Sequence, residues 1–532
     1  MKTIKYSLCV FILFWVGLSG CYEDKGSYDY EDWTGILSVS GVKIPGSSYG
    51  SVTISEGDTL KINPEIQFKE GVNPDDFGYY WVMGGDTIGT GRTLVWEITP
   101  TNVAVNSNDK TIYFWLAISN RKTGESWKYY ATDRSGDNSY MVKVKIVPTA
   151  MPLIGAIVYE KPDGSLEWGS VKGSNPATPA NFKTILTDMY ERYNPGKKIT
   201  GLCIGATLTK DQLCVYTSSA PDYGVMVQTS SSGTYPFGNF MGSIRNNTFM
   251  SDPANQVVQK NYCYNDIQEI LVGEELFLSS ATSSYPYQMI DPNGKGNISG
   301  VAQVARALPY TRHLSVNVHR MTNGDIWFYT WHEQLGSYRR VALEDGAGNV
   351  LKLDKIVGLF REPTFVMSDA QTLKFFLVGK TGSNYRLLVY TVRLYSNGND
   401  VVTYVKEKDV SSWAGGVNDQ VMWFTTVTPV GWNYAYLAKG HDLWRFGYEA
   451  LEEPQVVKNF EHDIVCVQAG LDNTAIRDAS QDYYTAVFTY DPDSHTSRMY
   501  AVDIRTEEVK VLSPEMTVIP GKVLEYLVPV SN

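Results

Sequence analysis

Short runs in which apolar and polar residues alternate, broken by Gly, Asn and Asp, fill residues 35–148. Alternation with a period of two is typical of strands that bury one face, and the breaks are typical of turns. About seven such runs in about 115 residues predict an immunoglobulin-like β-sandwich. The predicted strands include residues 52–54, 60–62, 79–82, 94–98, 112–116 and 140–147.

A different regularity begins at residue 152 and continues to residue 532. Paired apolar strands recur there about every 50 residues, which is typical of a β-propeller. The rival interpretations are two further sandwiches or a β-helix, and small residues at mid-strand, such as Gly155, Gly205 and Ala435, favour the narrow centre of a propeller. We therefore predict an all-β chain with about seven blades. The strand groups begin at residues 153, 202, 270, 326, 373, 434 and 485.

One segment breaks the β pattern. Apolar residues at helical spacing follow Thr178 and Pro179 and end before Asn194-Pro195-Gly196, which are start and stop signals of a helix. The pattern predicts an inserted helix that caps one face of the propeller, and a helix that binds a partner is the alternative. The apolar positions are Phe182, Ile185, Leu186, Met189, Tyr190 and Tyr193.

The amino terminus has the features of a lipoprotein signal. Lys2 and Lys5 precede an apolar run that ends in Leu18-Ser19-Gly20-Cys21. This pattern predicts a signal peptide over residues 1–20, cleavage before Cys21 and lipid on its thiol. A plain signal peptide and an accidental cysteine are the alternatives. Residues 21–34 are acidic and predict an extended tether, and no later run reaches the roughly 18 apolar residues of a spanning helix.

Charge and cysteine content narrow the class of protein further. The 532-residue chain has a net charge of −11, and −13 remains when Lys2 and Lys5 leave with the signal. An acidic chain does not suit a phosphate backbone, so we expect no nucleic-acid partner. Outside the signal and Cys21, four cysteines are left, of which Cys203 and Cys214 can either pair across neighbouring strands or remain as free thiols.

No motif of a common enzyme class is present. The sequence contains no H-E-x-x-H zinc motif, no G-x-S-x-G elbow and no phosphate-binding loop. His313 and His319 can share a strand face, but a metal site needs a third ligand that the sequence does not designate. We therefore expect no enzyme activity, no metal and no cofactor. A carboxylate pair, which glycosidases use, is not readable from sequence alone.

Aromatic residues in polar loops are the remaining candidates for a binding site. Rings on loops can stack on sugars or hold peptide side chains, while polar neighbours fix the orientation of the ligand. Packing of these loops against the rim of the propeller is the alternative. The candidate ligand-binding residues are Tyr235, Phe237, Tyr285, Tyr287, Trp331 and His332.

The chain has Cys21, then the stretch Tyr22-Glu23-Asp24-Lys25-Gly26-Ser27-Tyr28-Asp29-Tyr30, then a sandwich that resembles the polycystic-kidney-disease (PKD) type, and then a long β region. In this combination it resembles the PKD-like lipoproteins of Bacteroidetes. The resemblance implies an outer-membrane location facing the exterior, with Cys21 as the lipid site. It also implies partnership with a SusC-type TonB-dependent transporter and a SusD-type lipoprotein in nutrient uptake.

Three functions follow from this architecture. The first is a surface protein that captures oligopeptide or oligosaccharide for the transporter pair and touches the membrane only through its lipid. The second is a surface hydrolase with an active site in the propeller, which would act on peptides or glycans. The third is a scaffold without a ligand of its own.

Overall fold

A computed structural model describes most of the chain from Gly35 to Leu527, and two units divide it: Met1–Val147 and Pro148–Asn532. The described residues are 35–42, 51–55, 57–83, 85–97, 111–112, 114–130, 142–147, 153–173, 182–209, 211–230, 235, 237–244, 258–264, 267–272, 274–280, 288–289, 297–305, 313–332, 337–362, 370–425, 434–468, 484–503, 508–511 and 518–527.

The first unit is built from strands β1 to β11, which form four small sheets. The sheet orders are β1-β4, β10-β9-β5-β6, β2-β11-β8 and β3-β7, and β2 runs parallel to β11. The strands are β1 Ile36–Ser40, β2 Ser51–Ser55, β3 Thr59–Ile62, β4 Glu65–Phe68, β5 Phe77–Met83, β6 Asp86–Thr90, β7 Leu94–Glu97, β8 Thr111–Ile112, β9 Phe114–Asn120, β10 Ser126–Tyr130 and β11 Val142–Val147.

Trp81 lies at the centre of the core of this unit. It is fully buried, and its indole nitrogen donates a hydrogen bond of 3.1 Å to Gly91 O. Leu94 of β7 and Leu116 and Ile118 of β9 pack in the same cluster. Alternate residues of β3 and β7 are buried, as the period-two pattern predicts. The immunoglobulin-like class of this unit stays a prediction.

The second unit consists of seven antiparallel sheets with four main strands each. The first four sheets are β14-β13-β12-β40, β15-β16-β17-β18, β19-β20-β21-β22 and β23-β24-β25-β26. Their strands are β12 Leu153–Glu160, β13 Leu166–Gly173, β14 Phe182–Leu186, β15 Cys203–Leu208, β16 Gln212–Thr217, β17 Gly224–Gln228, β18 Phe240–Ser243, β19 Val258–Tyr264, β20 Ile267–Val272, β21 Glu275–Ser280, β22 Gln288–Met289, β23 Ile298–Ala305, β24 His313–Met321, β25 Ile326–His332, β26 Ser337–Ala342 and β40 Lys522–Leu527.

The remaining three sheets are β27-β28-β29-β30, β31-β32-β33-β34 and β35-β36-β37-β38, with β39 paired to β37. Their strands are β27 Lys355–Arg361, β28 Ala370–Thr381, β29 Asn384–Tyr395, β30 Val401–Asp409, β31 Met422–Thr425, β32 Tyr434–Lys439, β33 Asp442–Gly447, β34 Gln455–Asn459, β35 Asp463–Gln468, β36 Tyr484–Asp491, β37 Thr496–Asp503, β38 Glu508–Val511 and β39 Val518–Ile519.

The two ends of the second unit meet in one sheet. Strand β40, the last along the chain, pairs antiparallel with β12, the first, so that Ala156 lies opposite Leu527 and Glu160 opposite Lys522. The strands β15, β19, β23, β27 and β31 follow one another in contact, and both β35 and β15 contact β40. A closed ring of seven four-stranded sheets is a seven-bladed β-propeller.

Each long blade is buried on both faces. Phe375 and Phe376 are neighbours in β28, and both are fully buried. Phe375 stacks on Phe328 of the fourth blade with ring centroids 5.8 Å apart, whereas Phe376 packs in the cluster shared with the sixth blade. Burial on both faces explains why these strands are continuous apolar runs rather than alternating ones.

The predicted helix over residues 178–196 is wrong for its first half. Residues Phe182–Leu186 form the edge strand β14, and a helix of five residues, α1 Met189–Tyr193, follows after Asp188. Apolar residues three and four apart suit a helix, but the edge of β13 offers backbone groups that β14 pairs with, and this tertiary pairing decides the outcome.

The sequence left open whether Cys203 and Cys214 form a disulfide. Among the described residues, Cys203, Cys214 and Cys466 form none and are thiols. Cys203 lies opposite Thr217 and Cys214 opposite Thr207 in the β15–β16 pair, so the two are not cross-strand partners. Burial raises the pKa of the Cys203 thiol to about 12, which leaves it a poor nucleophile.

In the part of the chain that is described, no helix is long and apolar enough to cross a membrane.

Ring closure predicts a specific sensitivity at Gly521, the residue before β40. A Cβ added there would lie 2.3 Å from Glu160 O and 2.8 Å from Tyr159 Cδ2. We expect Gly521→Ala to displace β40 and to lower the free energy of unfolding by about 1–3 kcal/mol. Gly300→Ala is the matched control, because its Cβ would meet only Arg320 Cβ at 3.7 Å. Urea unfolding measures both, and equal stabilities of the two variants would contradict the role given to closure.

Candidate functional site

Of the six aromatic and histidine candidates, Phe237 lies in the core. It is 3% exposed and packs between the first two blades, with its ring centroid 5.5 Å from that of Tyr193 and 6.0 Å from that of Trp168. Its ring packs against α1, a partner that loop composition does not reveal, and its role in ligand binding stays a prediction. Tyr235 is 44% exposed and available to solvent.

Among the described residues, the structure does not place the other candidates in one site. Trp331 and His332 end strand β25, and their side chains lie outside the described part. Tyr285, Tyr287 and the lipid site Cys21 also lie outside the described residues. Their roles stay predictions.

A polar cavity of about 300 Å³ lies elsewhere, between the fifth and sixth blades. One wall is the turn that joins β32 to β33, and the other is the connection from β30 to β31, which contains the 3-10 turn Trp413–Gly415. In an antiparallel blade these two connections lie at the same end of the sheet. The residues that line the cavity are Ala414, Asn418, Gln420, Lys439, Gly440, His441, Asp442 and Trp444.

A strained piece of backbone shapes the wall formed by the connection from β30 to β31. Ala414, Gly415 and Gly416 all have positive φ, at 48°, 71° and 99°. Only the two glycines adopt this region freely, so Ala414 is strained. Lys439 Nζ donates to Ala414 O at 2.9 Å and to Gly416 O, and thereby holds this turn against β32. The ammonium group of Lys439 is therefore a structural link between the two walls.

Trp413 anchors the same turn from below. Its side chain is fully buried, and its indole nitrogen donates to Glu453 Oε1 at 2.9 Å. The ammonium group of Lys408 lies 5.0 Å above the ring, within reach of a cation–π interaction. These contacts fix the position of Ala414 at the edge of the cavity.

Polar side chains along the rim keep hydrogen-bonding groups available. Asp442 Oδ1 accepts from Asn459 Nδ2 and lies 3.5 Å from His441 Nε2. Asn418 Oδ1 accepts from Gln420 N at 2.9 Å, which orients the Asn418 amide. Among the described residues, these are the side-chain hydrogen bonds of the rim, and they leave Asn418 Nδ2, the side-chain amide of Gln420 and Asp442 Oδ2 for other partners. The rim thus offers donors and acceptors to a ligand.

Trp444 gives the cavity an aromatic surface. It is half-buried in β33 and packs against the apolar cluster of the fifth and sixth blades. Its buried indole nitrogen has no hydrogen-bond partner among the described residues, so packing sets the orientation of the ring there. Sequence reasoning missed this residue, because a lone Trp at a strand position is usually a core residue; the polar turn Gly440-His441-Asp442 directly before it was the available signal.

The described lining of the cavity contains one carboxyl group rather than a pair. Asp442 is the only carboxyl group among its described lining residues, whereas hydrolysis of glycosides uses two. No group of three or more His, Cys, Asp or Glu that can hold a metal occurs among the described residues. The arrangement is suited to binding.

Glu167 is the buried carboxyl group with the most unusual environment. It is 3% exposed, its Oε2 accepts from Trp168 N and Tyr190 N, and its Oε1 accepts from Glu191 N. Burial raises the pKa of Glu167 to about 7, while these three backbone donors oppose the shift. Because both oxygens are engaged by backbone, Glu167 caps α1 and is not poised to protonate a substrate.

His319 is the most isolated polar side chain. It is fully buried in β24, its ring stacks on Tyr329 at a centroid distance of 3.9 Å, and neither ring nitrogen has a hydrogen-bond partner among the described residues. Burial lowers the pKa of His319 to about 3, so the ring is neutral at neutral pH. We assign it to the core.

The comparisons with known proteins concern the fold alone. No family model matches the chain, and no curated protein matches it. A protein from Lactobacillus plantarum is 12% identical with a TM-score of 0.38, over 70% of this chain and 99% of that one. The Dos1 propeller is 12% identical with a TM-score of 0.36, over 72% and 95%. The N-terminal domain of Nup159 is 10% identical with a TM-score of 0.29, over 66% and 92%. We base the propeller assignment on strand order and ring closure in this chain.

The environment of Glu167 predicts a pH dependence of stability. Its pKa in the fold, about 7, exceeds the ordinary 4.5, so the folded state holds the proton more tightly. The resulting stability is complete below the ordinary pKa and is lost as pH rises through about 7, with a slope of up to about 1.4 kcal/mol per pH unit. Glu167→Gln should remove this slope. Urea unfolding between pH 5 and 8 measures it, and parallel curves for the two proteins would show that Glu167 does not titrate there.

His319 predicts the opposite dependence. Its pKa falls from 6.5 to about 3 on folding, so stability is lost as pH drops from 6.5 toward 3. His319→Phe keeps the ring on Tyr329 and removes two unpaired polar atoms. We expect it to raise the free energy of unfolding by about 1–3 kcal/mol at pH 7 and more at pH 5. A variant that is less stable than the parent would mean that a ring nitrogen serves a partner in solution.

Proposed function

We propose that this protein is a surface lipoprotein of the outer membrane that binds a nutrient for a SusC-type transporter and its SusD-type partner. Cys21 carries the lipid, residues 21–34 form the tether, and an immunoglobulin or PKD-like sandwich over residues 35–148 holds the propeller away from the membrane. The propeller receives an oligosaccharide or an oligopeptide. Attachment to the membrane is through lipid alone.

The polar cavity between the fifth and sixth blades is the observation that carries the binding role. It combines a fixed indole surface with hydrogen-bonding groups that the described bonds of the rim leave for other partners. Sites for small ligands typically combine apolar contact with a few oriented polar groups. The single carboxyl group there favours binding over the alternative of a surface hydrolase.

The anchor predicts the outcome of a cysteine substitution. With Cys21→Ser the chain has no thiol to carry lipid at that position, and we expect it to move from the outer-membrane fraction to the soluble fraction. Affinity purification from membranes should recover the transporter pair with the parent protein and not with this variant. Cell fractionation with immunoblotting and mass spectrometry of the purified material measure the two effects.

Cys203→Ser is the matched control, because its half-buried thiol lies in β15 of the propeller. It should leave both location and recovered partners unchanged. A Cys21→Ser protein that stays in the outer membrane would overturn the anchor, and recovery of the parent protein without a transporter would overturn the partnership.

A further inference from the structure

We infer that the cavity between the fifth and sixth blades binds one uncharged sugar ring of an oligosaccharide, with its apolar face against Trp444. This inference rests on the proposed binding function and chooses between its two ligand classes. Four features of the cavity support it: its charge, its hydrogen-bonding groups, its aromatic wall and its size.

The charges in the cavity do not suit a free carboxylate. The ammonium group of Lys439 already donates to the carbonyl oxygens of Ala414 and Gly416. Asp442 contributes a carboxylate whose Oδ2 is open to a ligand, and this group repels an anion. Among the described lining residues, the one ammonium group is that of Lys439, so peptide carboxyl ends and acidic sugars would meet a negative group without a further ammonium group beside it.

The rim matches the hydroxyl groups of a sugar. Each hydroxyl both donates and accepts, so it can use an amide N–H and a carboxylate oxygen at once. Asn418 Nδ2 and the Gln420 amide supply donors, and Gln420 also supplies an acceptor beside Asp442 Oδ2. Hydrogen bonds to an ionised acceptor are the stronger ones, so Asp442 should contribute most to orientation.

Trp444 supplies the apolar contact that a sugar ring also requires. A pyranose presents C–H groups on one face, and an indole is the largest flat surface among the side chains. The ring is half-buried and held by packing against the cluster that contains Phe446 and Trp413, so it need not be ordered when ligand binds.

The size of the cavity limits what enters it. A volume of about 300 Å³ lies at the lower end of the range of about 300–1,000 Å³ for small-ligand sites. His441 and Gln420 on the rim are exposed, so the remainder of a longer chain can extend into solvent. A single ring is thus held while neighbouring units stay outside.

Calorimetry on the detergent-solubilised full chain tests the inference. The probes are the neutral sugars maltohexaose, cellohexaose, laminarihexaose and mannohexaose, the acidic trigalacturonate, and a tryptic digest of casein. We expect at least one neutral sugar to bind and the acidic sugar and the peptides not to bind. Trp444→Ala should weaken that binding about tenfold or more, Trp444→Phe should weaken it less, and Asp442→Asn should also weaken it.

Tyr80→Ala is the matched control, because Tyr80 is an exposed aromatic residue of β5 in the first unit and does not line the cavity. It should leave binding unchanged. Gln420→Ala alters only an exposed rim side chain and should weaken binding without changing the unfolding midpoint, which separates loss of contact from loss of fold.

The outcomes separate this inference from the function on which it rests. Peptide binding that depends on Trp444 would agree with the binding function but would contradict the inference that the ligand is a sugar. Sugar binding that Trp444→Ala does not change would likewise overturn the site alone. No binding of any probe by the folded parent protein would overturn both.

Discussion

The pairing of β40 with β12 is the interaction on which the propeller depends. Ala156 faces Leu527 across this pair, and the cluster that includes Ile157 and Phe488 packs the first blade against the seventh. The fifth blade, for example, buries apolar residues on both faces, so a blade at an open end would expose one such face to water. Closure of the ring places a neighbouring blade on both sides of every blade. Because the fifth and sixth blades are fixed in this way, the turns that form the cavity between them are also fixed.

The cavity shows how such a frame holds a polar site. Its walls are two connections at one end of the fifth and sixth blades, and Lys439 joins them by donating to carbonyl groups of the strained turn that begins at Ala414. A strained backbone of this kind persists only where surrounding contacts hold it in place. Here those contacts come from buried Trp413 and its partner Glu453. Because these contacts hold the backbone of the walls, the side chains on the rim are available to bind a ligand.

Much of the fold was predictable from sequence, because strand periodicity and the spacing of strand groups are local signals. Seven groups correspond to seven blades. The strand β14 was missed since Phe182, Ile185 and Leu186 suit a helix as well as a strand. The cavity was not predictable: Asn418 and Asp442 meet only through the packing of two blades, and Trp444 looks like any other strand residue. Loop composition also gave no sign that Phe237 is buried.

We propose above all that the cavity beside Trp444 is the ligand site of the protein. A crystal structure of the full chain soaked with the neutral oligosaccharide panel tests it most directly. We predict density for one sugar ring on the indole of Trp444, with hydroxyl groups bonded to Asp442 and Asn418. Density for a sugar on another part of the propeller, with this cavity empty, would contradict the claim.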